Sequence, residues 1–218
     1  MIGQLVPPGV IAIEAYRDEW VTELLPEEQL LVARAVEKRR REFAAARNCA
    51  RRGLAELGWP DFPVLWGSRR EPLWPPGVLG SITHCSDYCA AAVARDTDVG
   101  GILGIGIDAE PNAPLSAHVV ERVLTSTERR TLADTQGINV PALAFSAKES
   151  VYKAWCPIAA RWLGYEDAEI DFDFASGRFG VRLLPSALVQ GLPVGLTFTG
   201  RFGTTATHVF TLVTAQLA

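Results

Sequence analysis

A chain of 218 residues is long enough for one large domain or two small lobes, and its 48% hydrophobic and 21% charged residues are typical of a globular protein. Its net charge of −4 provides no global attraction to nucleic acid, which is therefore not an expected partner. No apolar run approaches the roughly 18 residues of a membrane span, and the N-terminal residues lack the basic start of a signal peptide. We therefore expect a cytoplasmic protein without membrane association.

The four cysteines are expected to be reduced thiols. Cys49, Cys85, Cys89 and Cys156 form no CxxC pair, which is consistent with a cytoplasmic protein. His84 stands beside Cys85, but the spacing of these residues matches no common zinc pattern. Neither disulfides nor a zinc site is therefore expected.

The first half of the chain is predicted to contain a strand, two helical segments and a second β region. Residues 10–16 alternate as in a strand, and residues 24–58 have a helical pattern with a break before Lys38. Residues 61–77 are rich in glycine and proline and should be hairpin-like or irregular. The apolar segment that follows is expected to turn at a polar elbow, residues 81–84.

The second half begins with an apolar strand, residues 101–111, which we expect to be central in its sheet. Residues 115–134 suggest two helical segments, the second capped by Ser126 or Thr127. A further helix is predicted within residues 141–164. Four segments with a period near two then predict strands at residues 168–174, 177–184, 195–203 and 207–216.

This order of elements predicts an α+β fold with two lobes. The glycine-rich residues 99–106 are the expected connection, which divides the chain into residues 1–104 and 105–218. No internal sequence repeat is visible. The two lobes therefore have to be related by structure if they are related at all.

Two acids stand at the end of the apolar strand. Asp108 and Glu110 are two residues apart, so their side chains point to the same face. Two like charges at one place repel unless a cation or a proton lies between them. Surface acids at a strand end are the ordinary alternative, but the apolar run before them favours a strand that ends in a cleft.

A third acid lies in the predicted helix FSAKESVYKAW, residues 145–155. Glu149 and Lys153 are four residues apart and share a helix face, where on their own they would form an ordinary surface ion pair. Together with the two strand acids, however, Glu149 completes an oxygen cage suited to Mg²⁺. Such a site usually takes its remaining ligands from water and substrate phosphates.

A local basic cluster could bind those phosphates. Residues 38–52 hold most of its lysine and arginine side chains, and a charge run of this kind is usually a solvated helix face. Arg39 and Arg47, however, align with Phe43 on the stripe that should face inward. These two arginines are therefore the predicted phosphate contacts.

Three segments in this order resemble the signature of the 4′-phosphopantetheinyl transferases: GSITHCSDYCAAAVA at residues 80–94, GIGIDAE at 104–110 and FSAKESVYKAW at 145–155. The family pattern is approximately GS-x-(S/T)-H, then G-(I/V)-D-x-E, then F-(S/C/T)-x-KE-x-x-x-K. Every fixed position is present here, and the resemblance covers most of residues 38–175. Each segment alone is weak, whereas the combination is highly specific.

The resemblance implies the larger type of the family, typified by the surfactin-synthetase activator. Such proteins are monomers of two pseudo-symmetric lobes, each a small, mainly antiparallel sheet packed with helices, with coenzyme A between the lobes. Details such as PLWPPG and YKAWCPIAARWLG look closest to actinobacterial members.

The resemblance also implies the reaction, which is transfer of 4′-phosphopantetheine from coenzyme A to a serine of an apo carrier protein, with release of adenosine 3′,5′-bisphosphate. Mg²⁺, or Mn²⁺ as the alternative cation, would be held by Asp108, Glu110 and Glu149. Glu149, or a water on the metal beside it, would be the base, and Lys153 would act on the leaving group. The implied coenzyme A contacts are Arg39, Arg47, Arg69, Ser81, Thr83, His84, Asp108, Lys148 and Lys153.

Several implied details stay open at this point. Arg70 could replace Arg69, and Lys148 could lie at the surface without binding coenzyme A. Carrier proteins of the acyl, polyketide or peptidyl type are the expected partners, docking through a largely apolar contact near residues 113–132. A Mg²⁺-dependent phosphohydrolase of coenzyme A or nucleotides, or a non-catalytic binder of coenzyme A or carrier protein, are the alternatives.

Overall fold

The computed structural model describes residues 1–132, 137–187 and 191–218, which form helices and two antiparallel sheets. The α+β prediction is therefore confirmed. Contacts divide the chain into two compact units, Met1–Gly101 and Ile102–Ala218. The boundary predicted after residue 104 lies inside the first strand of the second unit. Within the described ranges, no helix is long and apolar enough to cross a membrane.

The first unit contains a three-stranded sheet and two helices. The strands β1 (Ile11–Tyr16), β2 (Val78–Cys85) and β3 (Tyr88–Arg95) pair in the order β1-β3-β2. Helix α1 spans Pro26–Leu31 and α2 spans Glu37–Glu56, so the predicted break before Lys38 is confirmed. The apolar face of α2, which includes Ala50 and Leu54, is buried in the core of this unit.

The polar elbow predicted at residues 81–84 is wrong. These residues lie inside β2, and the chain turns at Ser86 and Asp87, since Cys85 pairs with Tyr88 across a two-residue hairpin loop. Ser81 and Thr83 alternate on the buried side of the strand. Their polarity suggested a turn because burial of polar side chains within a sheet cannot be recognised from the sequence alone.

The second unit contains a five-stranded antiparallel sheet, in the order β4-β8-β7-β6-β5. All four strands predicted after residue 165 are present. The five strands are β4 (Ile102–Pro111), β5 (Ala168–Asp173), β6 (Arg178–Leu183), β7 (Leu196–Thr204) and β8 (His208–Leu217).

In its described residues, the second unit also contains three α-helices: α3 (Ala117–Val123), α4 (Ser126–Thr131) and α5 (Val140–Ala159). The cap of α4 was predicted one or two residues too late, because the capping side chain is Thr125. Its hydroxyl accepts the Glu128 N–H at 3.2 Å, and the Glu128 carboxylate accepts the Thr125 N–H at 2.7 Å, which is a reciprocal capping box. Residues 133–134 of the predicted helix lie outside the described residues.

Strand β4 lies at the edge of its sheet, so the prediction of a central strand is wrong. Its burial comes from α5, which packs along it at two glycines. A Cβ atom at Gly106 would stand 1.8 Å from the Ser150 carbonyl oxygen, and one at Gly104 would stand 2.3 Å from that of Ala154. An apolar run has the same appearance whether strands or a helix cover it, which explains the error.

Candidate active-site residues

Asp108 is buried on β4 and pairs with Lys153 of α5. The Lys153 ammonium donates to Asp108 Oδ1 at 2.7 Å and to the Ile107 carbonyl oxygen at 3.0 Å. The ion pair expected within the helix, between Glu149 and Lys153, is replaced in the described residues by this contact between helix and strand. Lys153 thus fixes α5 against the strand that carries the two acids.

Glu110 is electrostatically coupled to the other charges of this site. Burial, together with the negative charges of Asp108 and Glu149 and against an opposing effect of Lys153, raises the pKa of Glu110 to about 8. The three acids and the lysine therefore act on one another across β4 and α5. A proton or a cation is needed to relieve the repulsion.

The third acid, Glu149, is held by Tyr165, which lies in a 3₁₀ turn, Tyr165–Asp167, after α5. The Tyr165 hydroxyl donates to Glu149 Oε1 at 2.5 Å. Burial and this hydrogen bond raise the pKa of Tyr165, so that its hydroxyl keeps its proton. Sequence reasoning missed this contact, since nothing in the local pattern connects side chains on a helix and on a following turn.

The donor set fits a hard cation by its chemistry. Asp108, Glu110 and Glu149 offer only carboxylate oxygens, the ligands that Mg²⁺ prefers. In this structure their oxygens do not all lie within 4.8 Å of one another. Because the three charges repel one another, binding of a cation would draw these side chains together.

Lys148 lies in the core and not at the surface, in contrast to the alternative left open by the sequence. Its side chain is 2% exposed. The ammonium donates to Glu128 Oε2 at 2.7 Å and to the carbonyl oxygens of Val123 at 2.7 Å and Tyr165 at 2.8 Å. These contacts use all three N–H donors, which argues against the implied contact with coenzyme A.

In the first unit, Arg39 and His84 form a pair suited to binding a phosphate. Arg39 Nη1 lies 2.6 Å from His84 Nε2. Because a guanidinium can only donate, the imidazole accepts this hydrogen bond. The structure thus brings together a residue of α2 and a residue of β2, as the resemblance implies.

The other predicted phosphate contacts in this unit differ in exposure. Arg47 is 6% exposed, and its Nε donates to the Val64 carbonyl oxygen at 2.7 Å. Burial lowers the pKa of Arg47 to about 10, and its guanidinium lies 4.3 Å from the Phe43 ring centroid. Arg69 and Arg70 are both exposed. Arg47 therefore has a structural role already, whereas Arg69 and Arg70 are accessible to a ligand.

The predicted docking segment, residues 113–132, exposes charged side chains together with small residues such as Ala113 and Ala117. Val123 and Leu124 are buried under α3 and α4, and the exposed side chains include Arg122, Arg129 and Arg130. This differs from the largely apolar contact that was predicted. Each short helix has turned its apolar side chains into the core, which leaves its basic residues in solvent.

Two family profiles match the chain. The 4′-phosphopantetheinyl transferase N-terminal domain matches residues 27–94, which include Arg39 and His84. The 4′-phosphopantetheinyl transferase superfamily profile matches residues 104–190, which include the three acids of β4 and α5.

Curated relatives match over most of their length. The chain is 43% identical to the 4′-phosphopantetheinyl transferase Npt of Nocardia iowensis over 93% of this chain and 94% of the relative. It is 44% identical to the 4′-phosphopantetheinyl transferase Svp of Streptomyces mobaraensis over 88% of this chain and 80% of the relative. It is 40% identical to the 4′-phosphopantetheinyl transferase PptT of Mycobacterium tuberculosis over 92% of this chain and 89% of the relative. The chain belongs to the 4′-phosphopantetheinyl transferase superfamily and is a transferase of the type found in actinobacteria.

Proposed function

We propose that this protein transfers 4′-phosphopantetheine from coenzyme A to a serine of an apo carrier protein, with a divalent cation, and releases adenosine 3′,5′-bisphosphate. The observation that carries the proposal is the coupled group of Asp108, Glu110, Glu149 and Lys153. Three carboxylates beside one lysine suit a reaction in which phosphate charge is redistributed. A binding protein without catalysis has no need of this arrangement.

In the proposed reaction the carrier serine oxygen forms a bond to the pantetheine-bearing phosphorus as the pyrophosphate P–O bond breaks. Glu149 takes the serine proton, and the Lys153 ammonium stabilises the leaving bisphosphate. Asp108, Glu110 and Glu149 would hold the cation. When bound, Mg²⁺ would neutralise charge on the pyrophosphate, and Mn²⁺ is an alternative cation.

The phosphates of coenzyme A are proposed to contact the first unit. The pair of Arg39 and His84 would bind the 3′-phosphate, with Arg69 or Arg70 at the other phosphates. Ser81 and Thr83 lie on the same strand as His84 but are buried, so their contribution would be to support that strand.

For the carrier protein we propose docking on the exposed arginines of α3 and α4. The family resemblance implies a carrier protein that is acidic in most systems. Arg122 and Arg130 would supply the opposite charge, although the chain has a net charge of −4. Acyl, polyketide and peptidyl carrier domains all remain candidates.

One assay tests the proposal against its alternatives. The protein is incubated with coenzyme A, Mg²⁺ and an apo carrier domain, and the intact mass of the carrier and the release of bisphosphate are both measured. A mass gain of one phosphopantetheine per carrier is the expected result. Bisphosphate release without modification of the carrier would instead indicate a phosphohydrolase, and the absence of both would indicate a binder.

A further inference from the structure

Tyr165 connects a buried ion pair to the acid proposed as the base. Its backbone carbonyl oxygen accepts from the Lys148 ammonium at 2.8 Å, and its hydroxyl donates to Glu149 Oε1 at 2.5 Å. Lys148 and Glu149 are consecutive residues of α5. The same tyrosine is therefore held at its main chain by one of them and holds the other through its side chain.

The ion pair behind Tyr165 is fixed on several sides. Glu128 Oε2 accepts from the Lys148 ammonium at 2.7 Å and from the Thr125 N–H at 2.7 Å, while Oε1 accepts from the Ile170 N–H at 2.8 Å. Glu128 and Lys148 are each 2% exposed. Because every oxygen and ammonium hydrogen in this pair has a partner, the group is a rigid support for the turn that carries Tyr165.

The Tyr165 ring is also supported by a ring contact. Its centroid lies 5.7 Å from that of Phe145, which is a residue of α5 like Lys148 and Glu149. Replacing the tyrosine by phenylalanine would remove the hydroxyl and leave this ring contact in place. In the described residues, Tyr165 supplies the hydrogen bond to Oε1 of Glu149, so that Oε2 is the oxygen available to a ligand.

We propose that Tyr165 is a positioning residue, whose hydroxyl orients the Glu149 carboxylate so that its second oxygen faces the divalent cation. The inference rests on the proposed function of Glu149 as a metal ligand and base. Hydrogen bonds to the ligands of a metal commonly change metal affinity or activity by about 10- to 100-fold when they are lost. The loss of this one hydroxyl should therefore be measurable without any loss of the fold.

The test compares the full chain with Tyr165→Phe by titrating Mn²⁺ and detecting free Mn²⁺ by electron paramagnetic resonance. The dissociation constant for Mn²⁺ should rise about tenfold. In the carrier assay, kcat should fall about tenfold while KM for coenzyme A changes by less than about twofold, because the hydroxyl acts on Glu149 and not on the phosphates. An unchanged Mn²⁺ affinity would overturn the proposal.

The first unit provides a matched control. The Tyr88 hydroxyl donates to Glu14 Oε2 at 2.6 Å, which is the same type of hydrogen bond between two residues of the first unit. Tyr88→Phe should lower the thermal stability and leave the Mn²⁺ affinity unchanged. A similar loss of Mn²⁺ affinity in this control would mean that general destabilisation, rather than orientation of Glu149, explains the effect.

A double-mutant cycle separates positioning from damage to the fold. If Tyr165 acts through Glu149, adding Tyr165→Phe to Glu149→Gln should leave the Mn²⁺ dissociation constant of the single Gln variant unchanged. An equal loss in both backgrounds would refute the proposal. Because Mn²⁺ binding is measured without a carrier, a wild-type protein that binds Mn²⁺ but modifies no carrier would refute the proposed function and leave this inference standing.

Discussion

The two lysines that flank Glu149 in the sequence have different chemical environments. Lys153 is 25% exposed and pairs with Asp108 beside the other acids, whereas Lys148 is 2% exposed and pairs with Glu128. Burial lowers the pKa of Lys148, and Glu128 opposes that shift. Lys153 is therefore accessible for the proposed chemistry, whereas the contacts of Lys148 are those of a residue that stabilises the fold.

Lys148→Met should be strongly destabilising, because it would leave the buried Glu128 carboxylate without its cation. Removing one partner of a buried ion pair typically costs about 3–5 kcal/mol. Urea unfolding would measure the change in the free energy of unfolding. The control is Lys38→Met, which removes a 74% exposed lysine 3.8 Å from Glu42 and should cost less than about 1 kcal/mol. Equal costs for the two variants would contradict the structural role of Lys148.

Glu110 predicts a pH dependence of stability in the absence of metal. Its pKa is raised from 4.5 to about 8, mainly by burial. Its contribution to stability is therefore fully present below pH 4.5 and is lost as the pH rises through about 8. With a chelator present, the free energy of unfolding of the wild type should therefore fall relative to that of Glu110→Gln as the pH rises from 4.5 to about 8. A constant difference would show that Glu110 does not titrate in this way.

The sequence suggested candidate site residues but few of their contacts. Spacing placed Asp108 and Glu110 on one face and suggested Glu149 as a third acid, and the resemblance implied the role of Lys153 at the leaving group. The local pattern contains no indication that Lys148 is buried, because a lysine next to a glutamate in a helix can lie in solvent as well as in a core. Lys148 can be buried because its ammonium pairs with Glu128, which lies in another helix.

At the scale of secondary structure, the contact between β4 and α5 determines where the acids lie. The glycines of β4 were interpreted as a connection between lobes, but Gly104 and Gly106 lie where the helix backbone approaches most closely. The helices and strands named here were predicted at least approximately, except that the elbow predicted at residues 81–84 falls inside β2. The edge position of β4 was not, because the pairing order of strands depends on contacts that are distant in the chain.

Gly106→Ala should separate α5 from β4, since the added Cβ would stand 1.8 Å from the Ser150 carbonyl oxygen. Overpacking of this kind typically costs about 1–3 kcal/mol, and the Mn²⁺ affinity should fall with it. Gly180→Ala on β6 is the matched control, because a Cβ there meets nothing within 4 Å. Urea unfolding of both variants provides the measurement, and a neutral Gly106→Ala would disprove the close contact.

At the scale of the whole molecule, net charge is a poor guide to the partner. The protein carries −4 overall, yet the exposed side of α3 and α4 is basic. Electrostatic attraction to an acidic carrier would therefore come from this local basic surface and not from the net charge. It should weaken as the salt concentration increases.

Arg122→Glu should raise KM for an acidic carrier about three- to tenfold at low salt and leave KM for coenzyme A unchanged. Steady-state kinetics at two salt concentrations would measure both constants. Arg178→Glu, a charge reversal at an exposed position of β6, should change neither. Equal KM values for the carrier in Arg122→Glu and Arg178→Glu would show that the carrier does not dock on this surface.

The proposed metal site depends most directly on the acids of β4, and the rate at which the carrier gains mass tests their role. Asp108→Asn should reduce that rate at least about 100-fold, while circular dichroism shows a folded protein. Asp171→Asn, at an exposed position of β5 in the same sheet, should stay within about twofold of the wild-type rate. An Asp108→Asn variant that modifies the carrier at a near-normal rate would contradict the proposed metal site.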